Sequence, residues 1–238
     1  MDVQLRLRDP IAPQLVAALR QAIIASELRP GEALSEKEIA GRFGVSRQPV
    51  REAFIKLSEA GLVQILPSRG TYVMKISLRE VANARFVREA VECALARAAS
   101  KLIDPNGVAL LRRLIAEQSA AAGRSDYTRF TVLDEAFHQA IAEIVDCDYA
   151  GKVVESARAQ TDRVRYLSLP GTSPIPLLIT QHNAIVDAIE TGDADTAATA
   201  MRIHLREILN ALPRIAAENP GLFEDEEMPA HTKALRQR

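Results

Sequence analysis

The 238-residue sequence predicts a mainly α-helical protein: an N-terminal winged helix-turn-helix with a short β-hairpin wing, then an antiparallel bundle of six helices. Three observations predict it. Apolar residues recur at helical spacing over most of the chain. Two helix signals separated by a glycine are followed by two short β-rich stretches, "LVQIL" and "TYVMKI". Beyond Ser77 the turn signals are few, which leaves long helical runs between them.

The elements follow in order. Leu15, Leu19 and Ile23 lie at i, i+4 and i+8, one face of an amphipathic helix over 11–26. "LRPGE" is a turn built on Pro30-Gly31. A second helix starts at Ser35, with Glu38 three residues on as in a capping box. It ends near Phe43-Gly44, where glycine tolerates the positive φ of a helix stop. Ser46 caps a third helix to about Ala60; Pro49 is tolerated there because first-turn N–H groups lack helical partners. Gly61 ends it. The two strands follow, joined by "PSRG" at 67–70. The bundle helices are expected at 79–102, 106–122, 126–146, 149–168, 174–190 and 194–216, broken by "DPNG", "GRS", "LPGTSP" and "TGD". The domains are therefore 1–76 and 77–216. The charged, Pro/Gly-punctuated stretch 217–238 reads as a loosely ordered tail.

Charge divides along the same boundary. Residues 1–75 hold 11 Lys and Arg against 8 Asp and Glu; residues 76–238 hold 19 against 23. The formal total is −1, so any nucleic-acid contact is confined to a small patch. The two cysteines, Cys93 and Cys147, lie in apolar helical surroundings and fit reduced thiols, although spacing does not exclude a disulfide. The charged start "MDVQLRLRDP" has no signal-peptide core, and no apolar run approaches the roughly 18 residues of a membrane span. The expected location is the cytoplasm.

On the third helix, Arg47 and Arg51 share a face, and Gln48 lies beside Arg47 at the helix start. Residues there reach base edges in the major groove. Arg pairs bidentately with guanine and Gln with adenine. Ser46 and the helix N-terminus suit a phosphate, and Arg69 at the wing tip suits the backbone or a minor groove. The competing reading is a solvated basic face with Arg51 paired to Glu52 or Glu59.

The run "LRPGEALSEKEIAGRFGVSRQPVREAFIKLSEAGLVQILPSRGTYV" resembles the winged helix of GntR-family transcriptional regulators. The resemblance rests on Pro30-Gly31, L-S-E-x-E-I-A at 34–40, GVSR-x-PVREA at 44–53, GLV at 61–63 and RG-T-Y-V at 69–73. It implies DNA contacts by Lys37, Ser46, Arg47, Gln48, Arg51, Ser68, Arg69 and Gly70.

The bundle carries a second constellation. Asp134 and His138 stand at the i, i+4 spacing that lets two ligands share one ion. His182 lies ten residues before Gly192 and His204 twelve after it. In an antiparallel hairpin the two come level within roughly 3 Å of rise. Three imidazoles and one carboxylate suit Zn²⁺, Ni²⁺ or a similar first-row ion. The alternative is three hydrogen-bonded core histidines, with Asp134 merely paired to His138.

D-x-x-F-H at 134–138, H-x-x-I-x-x-A-I-x-x-G-D at 182–193 and A-x-x-x-M-x-x-H at 197–204 resemble the FCD ligand-sensing domain of the FadR branch, in its shorter VanR-type form. The resemblance implies that these four residues ligate a metal facing a cavity for small organic acids, and that Arg88 points into that cavity. An Arg88–Glu92 salt bridge is the other reading of that pair. The expectation is a homodimeric, operator-binding regulator, a repressor rather than an activator, controlled by a small carboxylate and not an enzyme. The rivals are a metal-dependent hydrolase and a regulator with a purely structural metal. Against the first, the sequence offers no clearly placed general base, activated nucleophile or cofactor loop.

Overall fold

The computed structural model describes residues 5–6, 8–171, 175–225, 229 and 232. Helix α1 (Ile11–Ile24) buries Leu15, Ala18, Leu19, Ala22 and Ile23. After the Pro30-Gly31 turn, strand β1 (Ala33–Leu34) leads into α2 (Glu36–Phe43). Ser35 caps α2 by accepting the Glu38 N–H at 3.3 Å, and Gly44 closes it at φ 65°. Helix α3 (Arg47–Glu59) buries Val50, Ala53, Phe54 and Leu57 against α1. Strands β2 (Val63–Leu66) and β3 (Gly70–Val73) form the wing.

The sheet has three strands, in the antiparallel order β1-β3-β2, where the sequence predicts two. Two residues are too few to show a period-2 pattern. β1 forms because the Pro30-Gly31 turn, with Gly31 at φ 81°, lets the Gly31 N–H reach the Val73 carbonyl at 2.8 Å.

The bundle consists of α4 (Leu78–Leu102), α5 (Pro105–Gly123), α6 (Tyr127–Ile144), α7 (Asp148–Ser168), α8 (Ile175–Glu190) and α9 (Ala194–Glu218). Side-chain oxygens of Ser77, Asp104, Asp126 and Asp193 accept first-turn N–H groups of α4, α5, α6 and α9. The core between these helices is aliphatic, with Phe130 and Phe137 fully buried. Cys93 and Cys147 are free. No described helix is long and apolar enough to cross a membrane.

The first part of the stretch expected to be a loose tail is held in place. Helix α9 continues to Glu218, a 3₁₀ turn covers Pro220–Leu222, and Phe223 pairs with Ile76 in a parallel bridge. Leu222 and Phe223 are apolar residues in an otherwise charged run, and Phe223 is buried beside Ile76, Val81 and Ile215. His231 lies outside the described residues.

The winged helix and bundle meet along α7. Ala159 enters the winged-helix core. The Gln160 amide donates to the carbonyls of Ala60 and Gly61, at 3.3 and 3.0 Å. Arg20 on α1 donates to Glu135 on α6 at 2.9 Å and to Asp162 on α7 at 2.8 Å.

Candidate metal centre and nucleic-acid interface

Helix α6 carries Asp134 and His138 on its buried face, α8 carries His182 and α9 carries His204. One ligand atom from each lies within 4.8 Å of all the others, and all four residues are buried. His182 Nε2 is 3.4 Å from His204 Nε2 and 3.4 Å from Asp134 Oδ1. His138 Nε2 and Asp134 Oδ1 have no hydrogen-bond partner.

The far side of each imidazole is held by an oxygen. Gln118 Oε1 lies 2.8 Å from His182 Nδ1, while the Gln118 amide nitrogen donates to the Leu133 carbonyl. That second bond fixes which amide atom faces the ring, so Nδ1 must carry the proton and Nε2 a lone pair. Gln181 Oε1 lies 3.1 Å from His204 Nδ1, and the Glu92 carboxylate sits against His138 Nδ1. Metal-binding histidines are oriented in this way. The His182 Nε2 lone pair faces His204 Nε2, and either a proton on His204 or a cation between the rings satisfies it.

The protonation states agree. Burial pushes His182 down to about 3, against the pull of Asp134. Burial, helped by His182 and His138, likewise holds His204 well below the usual imidazole range. Burial opposes ionisation of Asp134, but Arg158, His138 and His182 outweigh it and keep the carboxylate ionised. Neutral imidazoles and an ionised carboxylate are the forms that bind metal. The residues fit a tetrahedral or more open first-row ion.

Arg88 does not stand free. Its Nε donates to Glu92 Oε1 at 2.6 Å and an Nη to Thr161 at 3.3 Å, leaving one N–H group without a partner. Its clearest role is to hold Glu92, which in turn faces His138. Two arginines of α7 occupy the region that sequence reasoning assigned to Arg88 alone. Arg158 donates to Asp134 Oδ2 at 2.8 Å and lies 3.5 Å from Asp162, yet keeps two unpartnered nitrogens. Arg165 is 6% exposed and interacts electrostatically with Asp134, Arg88 and Arg158, and one of its Nη atoms is buried without a partner. The signal was present: 158, 162 and 165 share a face of a helix whose neighbours are core. A cavity of about 210 Å³ opens beside His138 and Arg158, bounded by Glu135, Gln139, Val154 and Glu155.

At the other end of the molecule, Lys37, Ser46, Arg47, Gln48 and Arg51 are exposed on α2 and the start of α3. The Ser46 hydroxyl makes no capping hydrogen bond. Gln48 donates to Glu52 at 3.0 Å. Arg51 forms a two-pronged pair with Glu36 of α2, both bonds 2.9 Å, and not with Glu52 or Glu59, the partners of the competing reading. In the wing, Ser68 (φ 59°), Arg69 and Gly70 (φ 108°) are exposed at the tip, where Tyr72 donates to the Arg69 carbonyl at 2.8 Å.

Known proteins share the sequence and fold of both domains. Residues 11–73 match the gntR family of bacterial regulatory proteins, and residues 84–207 match the FCD domain. The HTH-type transcriptional repressor RspR of Escherichia coli (strain K12) is 42% identical over 226 residues, 95% of this chain and 99% of that one. The chain belongs to the GntR family of transcriptional regulators. A second relative, an HTH-type transcriptional regulator in an unstable DNA locus of Streptomyces ambofaciens, is 41% identical over 207 residues, 86% of each chain. The crystal structure of a GntR regulator from Rhodococcus sp. RHA1 superposes with a TM-score of 0.71 at 25% identity, covering 85% of this chain and 97% of that one. Escherichia coli McbR/YncC shares the fold, with a TM-score of 0.74 at 18% identity and coverage of 87% and 98%. The GntR winged helix implies DNA binding, and the FCD bundle has a four-residue cluster that could hold a metal.

Proposed function

We propose that this protein is a homodimeric transcriptional repressor whose operator affinity is set by a small carboxylate bound at a metal in the bundle. Asp134, His138, His182 and His204 hold the ion, Zn²⁺ or Ni²⁺ by the donor set. Such an ion supplies open coordination positions for a carboxylate oxygen. Arg88 orients Glu92 and, through it, His138. The cavity beside His138 and Arg158 is the entrance.

One observation carries the reading: a chain of buried and part-buried ion pairs runs from the candidate metal cluster to the DNA-binding domain. Asp134 accepts from Arg158, Arg158 faces Asp162, and Asp162 accepts from Arg20 on α1. Arg20 also reaches Glu135, the neighbour of Asp134. A change in how Asp134 shares its charge therefore alters the pairing that seats α1 on the bundle. Control of DNA affinity requires such differential contacts between two states.

Each protomer offers one recognition helix and wing, so a dimer reads a pseudo-palindrome. Phe86 on α4 and Ile203 on α9, 56% and 57% exposed on helices that pack together, suit a second copy. Arg47, Gln48 and Arg51 read bases, while Lys37, Ser46 and the wing residues Ser68 to Gly70 position the protein on the duplex.

Two titrations test this. Operator binding, followed by anisotropy at fixed salt, should change at least fivefold between chelator-treated and metal-loaded, acid-saturated protein. No change under any metal or acid would end the sensing reading. Arg47→Ala and Arg51→Ala should each weaken specific binding by about 1–3 kcal/mol and narrow the gap to non-specific DNA. If non-specific affinity falls equally, these arginines contact phosphates only.

A further inference from the structure

The reading head holds one of its own base-contacting arginines before DNA arrives. Arg51 of α3 donates from Nε to Glu36 Oε1 and from Nη2 to Glu36 Oε2, both at 2.9 Å. Glu36 lies in the first turn of α2, next to Lys37, on the surface that meets the duplex in the reading above. A carboxylate there is repelled by phosphates and lowers affinity for any DNA. The positive end of α2 suits an acid, and Glu38 stands in the same first turn. The helix end therefore accounts for the charge, but not for a two-pronged bond to a different helix. The hydrogen bonds to Arg51, with the charges of Arg51 and Arg47, hold the Glu36 carboxyl below the usual carboxylate range, so it stays ionised.

A guanidinium has five N–H groups, and Glu36 takes two of them along the Nε edge. The end formed by Nη1 and Nη2 keeps a parallel pair, on a side chain that is 58% exposed. Such a pair matches guanine O6 and N7. We propose that Glu36 is a positioning residue for base reading: it braces Arg51 so that the free end of the guanidinium meets one guanine and does not turn to a phosphate. This deepens the operator-binding reading and rests on Arg51 as a base contact. A braced side chain has given up its rotamer freedom before the complex forms. An unbraced one reaches phosphates of any sequence, which raises non-specific affinity. The brace trades total affinity for discrimination.

Selection from a randomised duplex pool by the full-length protein tests the inference, followed by anisotropy on the selected duplex and on a scrambled one at a single salt concentration. The parent should select a guanine in each half-site that Arg51→Ala no longer requires. Glu36→Gln should relax the same position and leave affinity for the scrambled duplex equal or higher. Its ratio of selected to scrambled affinity should fall by about fivefold or more, the low end of what one bidentate pair discriminates. Glu36→Asp, with the charge on a shorter arm, should fall between. In an Arg51→Ala background, Glu36→Gln should leave the ratio unchanged. A Glu36→Gln variant that weakens both duplexes alike, or lowers the ratio even without Arg51, would assign Glu36 to the α2 terminus and overturn the brace. A parent-like ratio in E36Q overturns it too. If E36Q does not fold, E36D is read in its place, and a parent-like ratio there counts against the proposal. If R51A selects the same sequence as the parent, Arg51 is not a base contact, and that part of the operator reading falls together with this inference.

Discussion

At the residue scale, the decisive group is the His182 ring. It is stacked on Phe137, with centroids 4.4 Å apart, and its Nδ1 is fixed by Gln118. Asp134 and His138 were legible in the sequence because i, i+4 spacing is a geometric statement. His182 and His204 were legible because counting outward from Gly192 brings them level. Gln118, Gln181 and Glu92 were not, because no spacing rule links an orienting side chain on one helix to a ring on another. Gln118→Leu tests how much that partner matters. The substitution keeps the bulk but strands a buried N–H, so the protein should lose about 1–3 kcal/mol in denaturant unfolding. Metal affinity, measured by chelator competition, should fall about 10- to 100-fold. A variant equally stable and equally metal-avid would mean that packing on Phe137 alone orients the ring.

At the element scale, helix boundaries were the most readable feature. α2 runs between the predicted cap Ser35 and the predicted stop Gly44, and the six bundle helices begin and end within a few residues of their turn signals. The two-residue β1 and the fastened Phe223 were missed, since both depend on distant partners, Val73 and Ile76. Gly61 joins the two kinds of information. Its φ of 68° ends α3, which the sequence predicts. A β-carbon there would also lie 2.8 Å from the Gln160 amide, which only the assembled fold reveals. Gly61→Ala should therefore cost about 1–3 kcal/mol of backbone strain and an additional clash. In a Gln160→Ala background the same change should cost only the strain. The double-mutant cycle measures the difference, and strict additivity would place Gln160 out of contact with Gly61 in solution.

At the scale of the whole molecule, the sequence separates a basic reading head from an acidic bundle without saying how they are joined. The answer lies in charged residues that look like ordinary solvent-facing side chains in the sequence: Arg20, Glu135, Arg158 and Asp162. Arg158 and Asp162 are 1% and 2% exposed, and Arg20 is 17% exposed at its side chain, so the pairs among these three are poorly screened by solvent. Breaking one leaves a buried charge without its partner. Arg20 is the member that leaves the candidate metal cluster untouched, since it contacts neither Asp134 nor a histidine among the interactions described. Arg20→Met keeps most of the apolar stem and removes the charge. The variant should fold, hold metal at the parent stoichiometry and bind operator DNA. Its operator affinity should respond to metal and acid by less than twofold, where a coupling of about 1–3 kcal/mol gives roughly 5- to 150-fold in the parent. Parallel titrations of parent and variant at one ionic strength measure this. A variant that responds like the parent would take Arg20 out of the signal path and leave the Ala159 packing, the Gln160–Gly61 contact and the Ile76–Phe223 clasp as the other described junctions.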